Sequence, residues 1–348
     1  MAQRRRRTSD ERTIIDMHTY MRPAGSLTET EFAERFLMPL GFERDRGQNL
    51  VLRIGDSPSI LWSSHMDTVH IREGRQKVHF DGTMLALTRD AKKGASNCLG
   101  ADCTAGVWLM TEMVKAGVEG LYVIHHAEEE GCVGSSWLAK DPAFFAGINA
   151  AIAFDRFGYE SIITHQAGGK GASDEFAKSL AGILGGRFGI DRRGVYTDTN
   201  EYRELVPECT NISVGYFDQH TRWEHLDVRF LIGLRDTLVA ADWGRLVIAR
   251  DPNEQDYDNF TGRSKWRSFS PPAASDRRYP GDDLEGMIKQ YPDIAANILQ
   301  AFGVSREDFM DQVADYYGGV FEEEPEEEEE EDYWDPHCAS AANTRRAA

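Results

Sequence analysis

The stretch Ile60-Leu61-Trp62-Ser63-Ser64-His65-Met66-Asp67-Thr68-Val69 decides how the rest of the chain is read. Its first three residues are bulky and apolar, without polar alternation, which predicts a strand buried on both faces. His65 then falls at the C-terminal end of that strand, where open α/β sheets gather their ligands. In extended backbone, residues two apart point the same way. Asp67 can therefore reach the His65 ring and fix its tautomer. Alone, a histidine at a strand end reads as structural.

Similar apolar runs recur along the chain. Residues 50–54, 121–124, 151–154 and 212–216 read as strands. Helical periodicity predicts helices over residues 9–20, from Thr28, over 105–114, and within 222–248. Thr28 and Glu31 are spaced as a capping box. Residues 77–87 read as a hairpin turning at Asp81-Gly82. Strands alternating with helices predict an α/β three-layer sandwich, a mostly parallel mixed sheet with helices on both faces.

The chain has 348 residues, 41% of them hydrophobic, enough for a large core. Charged residues are 28%, and the formal net charge is −19. Ten acids lie in residues 322–332, so the remainder carries −19 + 10 = −9 and offers no basic footprint for nucleic acid. The five cysteines are odd in number and form no framework, which fits a reducing compartment. Cys98 and Cys103 have no second pair to complete a zinc ribbon. No apolar signal segment follows Arg4-Arg5-Arg6-Arg7, and no run approaches the ~20 apolar residues of a membrane helix. A cytoplasmic protein is the expectation.

The expected organisation is a disordered basic arm over residues 1–9 and a catalytic domain over 10–250. A linker rich in Pro, Ser, Asp and Arg follows over 251–281. Residues 282–318 regain helical periodicity through Leu284, Met287, Ile288, Ile294, Ile298 and Leu299, which predicts a small helical appendage. Residues 319–348 form an acidic tail expected to be disordered.

Four further segments carry chemistry. Leu99-Gly100-Ala101-Asp102-Cys103-Thr104-Ala105-Gly106 leads into a helix, and Asp102 sits where the helix dipole favours an acid. Ala127-Glu128-Glu129-Glu130-Gly131-Cys132-Val133-Gly134-Ser135 follows an apolar strand. Three adjacent carboxylates there repel one another unless they face water or cations. Asp155 caps a third buried strand, and His220 lies just beyond a fourth. His65, Asp102, Glu129, Asp155 and His220 thus collect at one edge of one sheet. Their mix of imidazole and carboxylate suits Zn²⁺ or a similar divalent metal. Two metals about 3.5–4 Å apart require a carboxylate with one oxygen for each.

These segments resemble the co-catalytic zinc exopeptidases, a clan that includes peptidase T, carboxypeptidase G and the bacterial leucyl aminopeptidases. His65-Met66-Asp67 matches the clan's H-x-D motif, and Leu99-Gly100-Ala101-Asp102 matches its bridging-aspartate motif. Residues 127–135 are similar to the aminopeptidase pattern A-E-E-x-G-x-x-G-S. The resemblance covers about residues 10–250. It implies one metal on His65, Asp102 and Asp155, and another on Asp102, Glu129 and His220. It further implies Glu128 as general base and Asp67 as the orienter of His65. Two zinc ions, or Co²⁺ or Mn²⁺ in their place, are the implied cofactors.

The sequence departs from the clan in two places. Cys103 stands where the clan often has a second aspartate. Asp155 and His220 are only 220 − 155 = 65 positions apart, which leaves no room for the lid domain of the peptidase T branch. The activity implied is amide hydrolysis of a peptide or acyl-amino acid, with an aminopeptidase-type exopeptidase preferred. A carboxypeptidase or N-acyl amino acid deacylase is the alternative, with Arg156 or Arg222 as the cation for a carboxylate. Glu130, Asp198 and Glu201 are the acids available for a substrate amine. An inactive metal-binding scaffold is the reading from another class, with the acidic tail recruiting an unknown partner.

Overall fold

The computed structural model describes residues 6–253, apart from Ala95 and Gly168, and beyond them Ile288, Ala295, Ala296 and Leu299, which are helical. The chain divides into two units, residues 1–303 and 304–348, and every described residue lies in the first. The acidic tail, nearly all of the linker and most of the helical appendage therefore lie outside the described residues.

A mixed sheet of eight strands forms the middle layer. Its four central strands run parallel in the order Glu208–Ser213, Ala150–Arg156, Ile60–His65 and Gly120–His125. Leu50–Ile54 and then Glu43–Arg44 add antiparallel on one side. On the other side Ser161–Ile163 adds antiparallel and Gly189–Asp191 adds parallel to it. The strand Ile60–His65 is buried along its whole length, as its unbroken apolar start requires.

The pleat divides the core in two. Trp62, Tyr122, Ile124, Ile152 and Phe154 face the larger layer, where helix Ala101–Lys115 packs with Ser9–Met17 and Val228–Ala240 behind it. Leu61, Leu121, Val123 and Ala151 face the other layer, with Leu138, Phe145 and Tyr202 from short helices and turns. The three-layer α/β sandwich is thus present. A separate small sheet of four strands holds the hairpin Val78–Phe80 and Met84–Leu87 beside His225–Asp227 and Tyr216–Phe217. Asp81 turns that hairpin by accepting from the amides of Thr83 and Met84.

Several expected boundaries move. Residues 6–9 of the expected arm are described, and Thr8 caps helix Ser9–Met17 in a capping box with Glu11; the rest of the arm lies outside the described residues. The second helix is Leu27–Phe36, and its cap is Ser26, which accepts from the Glu29 amide. The Thr28 hydroxyl instead accepts from the Gly74 amide. The helix expected within residues 222–248 is Val228–Ala240, and Asp227 accepts from the Phe230 amide and sets its start. Residues 212–216 are not one strand. Glu208–Ser213 ends before Gly215, whose φ of +93° breaks the extension, and Tyr216–Phe217 joins the small sheet. Between Asp155 and His220 the described residues include strands of the main sheet, the two-stranded ladder His165–Gln166 with Gly169–Lys170, and helices Asp174–Ile183 and Asp198–Glu201.

Past helix Val228–Ala240 the chain is pinned to the sheet. Trp243 packs edge-on against Trp62, with ring centroids 4.6 Å apart. The buried Glu208 carboxylate accepts from the amides of Ala249 and Arg250 and from the amide and hydroxyl of Ser173. The Arg250 guanidinium donates to the carbonyls of Arg203, Val206 and Pro207.

Candidate metal centre

The parallel strands end on the same edge of the sheet, and that edge brings the candidate side chains together. His65 is the last residue of its strand, and Asp155 is the last but one of its own. Glu128 and Glu129 follow strand Gly120–His125. Asp102 occupies a non-helical first turn of Ala101–Lys115 (φ −78°, ψ 106°), and the Asp102–Cys103 peptide is cis. His220 arrives from the turn after Tyr216–Phe217. Ala127, Cys132, Asp218 and His220 all have φ between +52° and +65°, so strained backbone brackets the glutamates and the second histidine.

Two clusters share one residue. His65 Nε2 is 3.0 Å from Asp102 Oδ1 and 3.4 Å from Asp155 Oδ1. His220 Nε2 is 3.2 Å from Asp102 Oδ2 and 3.2 Å from Glu129 Oε1. Asp102 therefore presents one oxygen to each cluster. Glu128 Oε2 lies 4.0 Å from His65 Nε2. Donor atoms of His65, Asp102, Cys103 and Asp155 lie within 4.8 Å of one another, and so do those of Asp102, Glu129 and His220. The His65 side chain is 1% exposed and those of Asp102, Glu128, Glu129 and Asp155 9–13%, so the cluster is largely buried.

The electrostatics show what this donor set lacks. Burial pushes the Glu128 carboxyl well above the usual range, and Asp155, Glu129 and Asp198 push it further, against His65. Asp155 is raised to about 6, first by burial and then by Asp102. Burial opposes charge on His65, but Cys103 and the carboxylates of Asp102, Asp155 and Asp67 outweigh it and raise its pKa well above 6.5. Burial opposes charge on Asp102 too, yet hydrogen bonds from His220 and His65 lower its pKa. Protons thus crowd onto a group of acids that cannot all ionise together. Oxygen and nitrogen donors at these spacings fit divalent cations, which would supply the missing positive charge.

Neighbouring residues hold the donors in place. His65 Nδ1 lies 3.1 Å from the Asp67 carbonyl and 3.4 Å from its Oδ1. The Asp67 carboxylate makes closer bonds to the amides of Glu128 and Glu129, at 3.0 and 3.1 Å, so it fixes the glutamate loop as well as facing the ring. Glu224 accepts from the amides of Gly100 and Asp102, at 2.8 and 3.0 Å. Thr197 donates to Asp155 Oδ2 at 2.8 Å, and Asn211 bonds the amide and carbonyl of Asp155. Cys103 Sγ donates to the Phe154 carbonyl at 3.0 Å and lies 2.7 Å from Ser64 Oγ. Glu130 is exposed.

Sequence reasoning did not find Glu224, Thr197 or Asn211. The only signal was that Glu224 stands four residues after His220 in the same loop. Arg156 and Arg222, the candidate cations for a substrate carboxylate, are placed differently. Arg156 Nη2 lies 3.5 Å from Asp191 Oδ2, and its guanidinium stacks on Phe157. Arg222 is exposed. Among the described residues no helix is long and apolar enough to cross a membrane.

No protein-family model and no curated protein sequence matches the chain. Solved structures do. Aminopeptidase PepT from Bacillus cereus is similar with a TM-score of 0.54 at 16% identity, over 66% of this chain and 96% of that one. A tripeptidase from Staphylococcus aureus gives 0.52 at 15%, over 66% and 95%. An aminopeptidase from the archaeon Desulfurococcus kamchatkensis gives 0.50 at 15%, over 66% and 93%. The sheet and its covering helices thus have the α/β fold of these three structures.

Proposed function

We propose that the chain is a di-zinc metallohydrolase that cleaves an amide bond, acting as an aminopeptidase-type exopeptidase on peptides. The observation that carries this reading is Asp102, whose two oxygens lie 3.0 and 3.2 Å from the two imidazoles. A carboxylate divided in this way is what a pair of metal ions requires. His65, Asp102 and Asp155 would hold one ion, and Asp102, Glu129 and His220 the other. Bound zinc would acidify a water and polarise the substrate carbonyl.

The chain's own groups do the remaining work. Glu128, whose Oε2 lies 4.0 Å from His65 Nε2, takes the water's proton and returns it to the leaving amine. Asp67, through the amides of Glu128 and Glu129, keeps base and ligand in register. The near-complete burial of the site excludes bulk water. The engagement of Arg156 with Asp191 favours an amine over a carboxylate as the recognised end of the substrate. The aminopeptidases among the fold neighbours point the same way.

Two measurements test the reading. Glu128→Gln should retain about two zinc ions per chain and lose activity by roughly 10²–10⁴-fold. Unchanged turnover in that variant would remove Glu128 as the base. A panel of aminoacyl, acyl-amino-acid and dipeptide substrates, with zinc or with cobalt or manganese, should show cleavage of free-amine substrates first. Preference for N-blocked substrates would turn the reading towards a deacylase or carboxypeptidase.

A further inference from the structure

Arg22 belongs to none of the motifs above, and its side chain is completely buried. Its Nε donates to the Met66 carbonyl and its Nη2 to Thr104 Oγ1, both at 2.8 Å. Its amide donates to Thr68 Oγ1 at 3.1 Å, and its carbonyl accepts the Thr68 amide at 2.8 Å. The Phe32 ring covers one face of the guanidinium, 4.0 Å away. One side chain therefore grips the residue after His65 and the second residue after Asp102. Its backbone also grips the residue after Asp67.

Burying a guanidinium carries a large desolvation cost, and an apolar residue of similar volume would fill this space with less. The two ties explain what the charge accomplishes. His65 and Asp102 are 37 positions apart in sequence and 3.0 Å apart in space. Their loops share no strand ladder at that point, and Arg22 bridges them by a rigid planar fork. Thr104 in turn donates to the Gly100 carbonyl, which extends the tie to the start of the Asp102 loop. Metal sites tolerate only about ±0.2 Å in donor distances. A joint that fixes the spacing of two ligand loops is therefore a determinant of affinity.

We propose that Arg22 is a positioning residue for the metal pair, setting the separation of His65 from Asp102. The inference rests on the di-zinc reading. Its test is zinc titration against a chromophoric chelator, with visible spectra of the cobalt-loaded protein, on wild type, R22M, R22K, T104V and T104S. Folded R22M should bind zinc about 10–100-fold more weakly and shift the cobalt bands, as loss of an outer support does. R22K, which can reach one acceptor but not fork to both, should recover part of the affinity. T104V should weaken binding, and T104S, which keeps the hydroxyl, should restore it. Folded R22M with affinity within about twofold of wild type and unchanged bands overturns the proposal. If R22M does not fold, equal affinities for T104V and T104S overturn it. A wild type that takes up two ions beside an R22M that matches it sinks this inference alone. A wild type that takes up no zinc, cobalt or manganese sinks the di-zinc reading as well.

Discussion

Asp67 and Glu224 show how much of this site depends on carboxylates that bind backbone. Asp67 spends both oxygens on the amides of Glu128 and Glu129, and Glu224 spends both on Gly100 and Asp102. An asparagine has one acceptor oxygen, and its NH₂ would face the second amide. Asp67→Asn should therefore lower metal affinity or activity by roughly 10–100-fold. Glu224→Gln should do the same, while circular dichroism stays native. Wild-type zinc affinity in either variant would show that its loop is held by other means. The meeting of His65, Asp102, Glu129, Asp155 and His220 was foreseeable because each adjoins an apolar strand or a glycine-rich turn. Glu224 was not legible, because its partners lie more than a hundred positions away and no local pattern marks them.

The strand Glu208–Ser213 was the hardest element to read. Its sequence, Glu208-Cys209-Thr210-Asn211-Ile212-Ser213, is mostly polar, yet every residue is buried. Burial is tolerable because each polar group is paired. Thr210 donates to the Ile163 carbonyl, Asn211 brackets Asp155, and Ser213 donates to the Phe157 carbonyl. Hydropathy sees only Ile212 and starts the strand four residues late. The apolar strands and the helix Ala101–Lys115, by contrast, were legible from periodicity. That helix lies against the sheet at Gly106, where a Cβ would stand 2.1 Å from the Phe154 carbonyl and 2.7 Å from both Cys103 Sγ and Ser64 Oγ. Gly106→Ala should cost about 1–3 kcal/mol or more by overpacking and displace the Asp102 turn. A urea midpoint equal to wild type would disprove so tight an approach. At the exposed end of the first helix, Thr8→Ala should cost about 1 kcal/mol by removing the cap.

At the scale of the molecule, the sheet was foreseeable as a class but not as an order. Alternation of strands and helices indicates a parallel core, whereas the antiparallel flanks depend on crossings that local sequence does not encode. Buried histidines add a property of the whole fold. Burial holds His18 at about 3 and His70 at about 4, below the usual 6.5, so both are neutral when folded. The unfolded chain binds protons at these sites first as pH falls. The stability they confer is complete above about pH 6.5 and drains away as pH drops towards 4 and then 3. Urea midpoints should therefore fall between about pH 7 and pH 4.5, and less steeply in His18→Gln. Equal slopes for wild type and variant would acquit His18.

The fastening of the chain after helix Val228–Ala240 sets where this protein can be cut. Glu208 is wholly buried, and two of its four donors are the amides of Ala249 and Arg250. An expression fragment that stops at the end of helix Val228–Ala240 would strip those donors and uncover Trp62. It should be insoluble or rapidly degraded, whereas one carried through residue 253 should keep the seam closed. The useful boundary for crystallisation or for fusing a tag is thus set by a carboxylate at the start of a central strand, some forty positions upstream of the cut.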